Sequence, residues 1–73
     1  MDKTQNIIYD LLYGESDKLT FDMTGMAEYI EEYTELMDGI VSIAKKGAVT
    51  VIEDSIIVDS DGTVFWELKI KRK

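Results

Sequence analysis

The sequence predicts a small α+β domain, with a short and a long helix packed on an antiparallel-rich, three-stranded sheet. Three observations lead there. Residues 26–46 repeat apolar side chains at steps of three and four, the period of one helix face. Residues 18–24 alternate apolar and polar, the period of a half-buried strand. Residues 48–71 are rich in β-branched side chains and broken once by Asp59-Ser60-Asp61-Gly62, a turn-forming tetrapeptide. The order is therefore α-β-α-β-β, in a single domain spanning residues 1–73.

Taken in order, residues 4–13 form the short helix, capped by Asp2 or Thr4, with Ile7, Ile8, Leu11 and Leu12 as its apolar stripe. Gly14 stops it, expected in the left-handed conformation that glycine adopts at helix ends without a Cβ clash. Leu19, Phe21 and Met23 then point one way and Thr20, Asp22 and Thr24 the other. Thr24 is the expected cap of the long helix over residues 26–46. Met26, Ile30, Tyr33, Met37, Ile40 and Ala44 line one face of that helix, widened along its edge by Tyr29, Leu36 and Ile43. Gly39 in its middle costs about 1 kcal/mol against alanine if exposed. A close approach by another backbone would account for it, and so would a tolerated accident of sequence. Gly47 ends the helix behind Lys45 and Lys46.

The hairpin over residues 48–71 has a predicted register. With Gly62 left-handed in a three-residue loop, Val58 faces Val64, Ile56 faces Trp66 and Ile52 faces Ile70. Asp54 falls opposite Leu68, an acid among apolar residues, and a bulge near Asp54-Ser55 would turn it outward.

Composition narrows the function. The chain has no Cys and no His, which removes thiolate metal sites, the commonest metal ligand and the usual general base near neutral pH. No phosphate-binding glycine loop or dinucleotide fingerprint is present. The Asp59–Gly62 turn shares part of a calcium-loop pattern, but Ile57 and Leu68 stand where oxygen ligands are needed. No enzyme activity, cofactor or metal is expected. No apolar run is long enough to span a membrane and no signal-peptide core follows the first residues, so a cytoplasmic protein is expected. At 73 residues, without disulfides, pairing with a second copy is a common source of stability, and a homodimer is expected. Tyr29, Tyr33, Leu36 and Ile43 are its candidate face.

The net charge is −7, unevenly spread. Residues 1–44 hold ten acids against two bases, a balance of −8, whereas residues 45–73 hold five acids against six bases, a balance of +1. Glu28, Glu31, Glu32, Glu35 and Asp38 fall on the polar side of the long helix with no Lys or Arg until Lys45. A helix face that serves only solubility mixes signs and gains favourable pairs four residues apart; here the pairs repel by a few tenths of a kcal/mol each. Asp17 and Asp22 would extend the row. Such an array fits a basic protein partner, a DNA-binding protein among them, with the carboxylates standing in for a phosphate backbone, as in small phage proteins that inhibit host factors. Two alternatives are an assembly module that binds through the apolar helix face, and a weak nucleic-acid binder that uses Lys69, Lys71, Arg72 and Lys73. Four bases on so acidic a body argue against direct nucleic-acid binding.

Overall fold

The computed structural model describes residues 2–73 and follows the expected order: α1 (Lys3–Tyr13), β1 (Lys18–Asp22), α2 (Ile30–Lys46), β2 (Val49–Val58) and β3 (Val64–Arg72). The sheet is antiparallel throughout, in the order β1-β3-β2, and both helices pack against it. The last strand in sequence is therefore the middle one in space. It shows why in its own pattern: Val64, Trp66, Leu68 and Ile70 are buried, while the alternate Glu67, Lys69 and Lys71 are exposed and Phe65 is half-buried. Ile7 and Leu11 of α1 and Tyr33, Met37, Ile40 and Ala44 of α2 complete the core over these side chains. The molecule measures 36 × 20 × 20 Å.

α1 begins at a full capping box. The Gln5 amide donates to Asp2 Oδ1 at 2.9 Å and the Asp2 amide donates to Gln5 Oε1 at 3.1 Å. Its other end departs from expectation. Gly14 is extended, with φ −70° and ψ 167°, rather than left-handed. The glycine is required for space: a Cβ there would lie 2.5 Å from the Asp10 carbonyl oxygen and 3.3 Å from Nη2 of Arg72. Arg72 reaches across from the end of β3 and satisfies the open carbonyls, Nε donating to Leu11 at 3.0 Å and Nη2 to Asp10 at 3.0 Å. Nη1 donates to the Ser16 carbonyl in the loop beyond. Gly47 is not left-handed either, at φ −87°; a Cβ there would meet the end of the Leu12 side chain, and Ala48 takes the left-handed turn instead, at φ 69°.

α2 starts at Ile30, four residues later than the sequence period suggests, with Tyr29 at its cap position and no side-chain cap bond. Thr24 is not a helix cap. Its hydroxyl accepts the Val64 amide at 2.9 Å, and its own amide donates to Asp22 Oδ1 at 2.9 Å, so it ties the end of β1 to the start of β3. Gly25, at φ +79°, then turns the chain, and Met26 packs on the core from a loop rather than from a helix. Glu28 is consequently off the helix and forms no four-apart pair with Glu32. Gly39 has open space where its Cβ would be, so no backbone approaches it.

The hairpin keeps the predicted pairs Val58↔Val64, Ile56↔Trp66 and Asp54↔Leu68, with Gly62 at φ +89°. Below them the register differs: Val51, not Ile52, faces Ile70, and the irregularity lies between Val51 and Glu53 rather than at Asp54-Ser55. Asp54 is exposed, as expected, but without a bulge of its own, and it has a partner. Its Oδ2 accepts the indole N–H of Trp66 at 2.8 Å, the donor on a side chain that is 0% exposed.

Replacing Asp54 with alanine leaves that indole donor without an acceptor and is expected to lower stability by about 1–3 kcal/mol, with Asp54→Asn recovering most of the loss. Denaturant unfolding followed by the fluorescence of Trp66, the sole tryptophan, measures it. Gly39→Ala, at an exposed helical position with open space, is expected to raise stability by up to about 1 kcal/mol in the same assay.

Candidate functional site

With about 100° between successive helical residues, Glu31, Glu35 and Asp38 lie within about 60° of one another on the side of α2 opposite Tyr33, Ile40 and Ala44. All three are exposed. Glu32, also exposed, stands about 100° around from Glu31, toward Leu36 and Ile43. From Glu31 to Asp38 is about 10.5 Å of axis at 1.5 Å per residue, so the four carboxylates average about 3.5 Å of axis per charge. One strand of duplex DNA carries a charge about every 3.4 Å. Glu31 and Glu32 also face the positive end of the helix dipole, which offsets part of their mutual repulsion; Glu35 and Asp38, past the first turn, have no such compensation.

The other expected acids are distributed differently. Glu28 sits in the loop before α2 and lines a groove of about 380 Å³ with Ala27, Ile30, Tyr33, Val58 and Val64. Asp22, at the end of β1, belongs to the same end of the molecule but is tied up locally. The Thr24 hydroxyl first, then the Thr24 amide, hold its carboxyl below the ordinary value of 3.8, and Lys3 contributes a smaller attraction. Asp61 in the hairpin loop is lowered in the same way by the Thr63 hydroxyl and amide, the amide donating to Asp61 Oδ1 at 3.0 Å. Asp17 is at the opposite end, its carbonyl accepting the Ile70 amide at 2.8 Å beside the Lys18↔Lys69 pair, so it does not extend the row.

The expected dimer face also changes. Tyr33 is 6% exposed and belongs to the core, so it is not available to a second copy, and Leu36 is half-buried. Tyr29 and Ile43 are exposed but stand fourteen positions apart, roughly 20 Å along α2 and its cap. Among the four expected bases, Arg72 is engaged with the end of α1, and Lys69 lies outward on the sheet beside Lys18 and Glu53. Lys71 and Lys73 instead join Lys45, Lys46 and Thr50 along a groove of about 620 Å³. Sequence reading missed that meeting, because Lys45 and Lys46 were accounted for by their helix end and only the strand order brings β3 beside it.

The fold thus gathers most of its bases at one end, although Asp17 lies there too and Lys3 acts on Asp22 at the other. β2 begins and β3 ends beside the C-terminus of α2, where Lys45, Lys46, Lys71, Arg72 and Lys73 gather. The opposite end holds the hairpin loop with Asp59 and Asp61, the Glu28 loop and the first turn of α2. Residues 19–44 and 47–68 contain no Lys or Arg at all. Among the described residues no cluster of carboxylates is placed to hold a metal ion, no charged side chain is buried, and no helix is long and apolar enough to cross a membrane. The chain matches no protein-family model, no curated protein and no solved structure.

Asp22 and Asp61 have folded-state pKa values below the ordinary one, so each favours the fold above its unfolded pKa and loses that contribution as pH falls through its folded pKa. Carboxyl-carbon NMR titration is expected to give both residues midpoints below 3.8, and Thr24→Val is expected to raise that of Asp22 while leaving Asp61 in place.

Proposed function

We propose that this protein is a non-enzymatic inhibitor or regulator that binds a basic protein surface, with the carboxylates of α2 occupying the place of a phosphate backbone. One observation carries the reading: Glu31, Glu32, Glu35 and Asp38 are exposed, unmixed with bases and held on a rigid helix at a charge spacing close to that of a nucleic-acid strand. A partner that reads phosphates through Lys and Arg meets the same attraction here, steered over distance and weakened by salt. The separated basic end adds specificity of orientation, because the wrong end of the molecule repels such a partner. A DNA-binding protein of a bacterial host, met by a phage-type inhibitor in the cytoplasm, is the setting this chemistry suits.

Reversing Glu31, Glu32 and Glu35 to lysine is expected to abolish capture of the partner while circular dichroism and Trp66 fluorescence stay as in the parent protein. The parent protein, immobilised in nuclease-treated bacterial lysate, is expected to retain a basic DNA-binding protein at low salt and release it at about 0.5 M salt, where the screening length falls to a few ångströms. Retention of the same partner by the lysine variant overturns the reading.

A further inference from the structure

The acidic row alone describes a polyelectrolyte, yet the acidic end of the molecule also carries apolar surface that the fold leaves uncovered. Tyr29 is 60% exposed, Ile30 49% and Val58 57%. Ile30 comes from the first turn of α2 and Val58 from the last position of β2, and both line the groove, with the half-buried Ala27 and the buried Tyr33 and Val64. Gly25 and Gly62, both at positive φ, also line it, each with open space where a Cβ would lie. The volume, about 380 Å³, is at the small end of ligand sites and suits one or two side chains rather than a cofactor. Its polar lining is a carboxylate, Glu28, and Glu31, Asp59 and Asp61 adjoin the lining residues in sequence.

We infer that this groove is the anchor point of the interface: it receives an aromatic or branched apolar side chain of the partner, presented between Lys or Arg residues that engage the surrounding carboxylates. The occupant follows from charge. The segments forming the groove come entirely from the base-free stretches 19–44 and 47–68, so an anionic or neutral segment gains nothing at its edges and a basic one is attracted by Glu28 and the acids that adjoin the lining residues. A second copy of this chain offers a basic end of its own but is the less favoured occupant, because its net charge of −7 opposes the approach of the whole molecule. This inference rests on the basic-partner reading and adds to it a component that salt does not remove, because burial of apolar area is not screened. It also separates a protein partner from a nucleic-acid imitation that works by charge alone.

The test uses two synthetic peptides of unlike centre and like charge: Lys-Arg-Lys-Phe-Lys-Arg-Lys with blocked ends, and the same peptide with serine in place of phenylalanine. Each is titrated into isotopically labelled protein and followed by amide NMR shifts. The phenylalanine peptide is expected to bind about tenfold or more tightly, as burial of such a ring allows, to shift Ala27, Ile30, Val58 and Val64, and to keep its advantage at about 0.5 M salt. Ile30→Ser with Val58→Ser, both at exposed positions, is expected to remove that advantage and leave the serine peptide's affinity unchanged. Equal affinities, with shifts confined to the acidic residues, overturn the groove inference and leave the basic-partner reading standing. Binding of neither peptide at low salt overturns both. If the double variant loses its dispersed spectrum, the comparison of the two peptides on the parent protein decides alone.

Discussion

The guanidinium of Arg72 is the interaction on which the arrangement of the molecule depends. An eleven-residue helix such as α1 is marginal by itself, and α1 has no basic residue in its last turn to meet its open carbonyls. Arg72 supplies that cation from the far end of the chain, donating to Asp10 and Leu11 and, through the third nitrogen, to Ser16. The contact fixes three elements at once, since Arg72 is also the last residue of the central strand and stands opposite Val49 of β2. Gly14 leaves room for the carbonyl and the guanidinium. An arginine that sequence alone assigns to a basic tail is thus a structural clamp, and charged hydrogen bonds of this kind are among the stronger ones available to so small a domain.

The other organising residue is Trp66. It is the largest fully buried side chain, sits near the start of the central strand and stands opposite Phe21 on one edge strand and Ile56 on the other. The rings of Phe21 and Trp66 lie 6.2 Å apart, a tilted pair within the favourable range. Its polar edge explains the acid that interrupts the apolar pattern of β2. Asp54 stays in register because the indole needs it, and the extra residue of the strand is then accommodated nearer Ile52. An acid on an edge strand and a bulge beside it also make poor templates for pairing with another sheet.

Most of the fold was legible because the relevant signals were local: the cap at Asp2, the alternation through Leu19 and Phe21, and the loop closed by Gly62. What misled were residues whose partners lie far away in sequence. Thr24 has the chemistry of a helix cap and sits before a periodic apolar run, but the Val64 amide, forty residues on, claims its hydroxyl. With the cap gone, Met26 and Glu28 fall outside the helix although their spacing matches it. The acidic row survives on its helical members, Glu31, Glu32, Glu35 and Asp38, because a helix face is set by local period. The apolar groove beside it was not legible, since it joins α2 to the end of a strand that only the tertiary fold brings near. Nor was the fate of Tyr33, which the breadth of the apolar stripe left open between core and exposed surface.

The segregation of charge described above also acts before any contact is made. With bases gathered where β3 ends and acids around the hairpin loop and α2, the molecule carries a permanent electric moment along a body 36 Å long. In the field of a cationic surface such a body experiences a torque as well as an attraction. It is turned once it comes within about a Debye length of that surface, before contact, so that a larger share of diffusional collisions arrives with α2 foremost. For a small protein competing against a long polyanion for the same surface, a high fraction of well-oriented encounters is a kinetic advantage that net charge by itself does not supply.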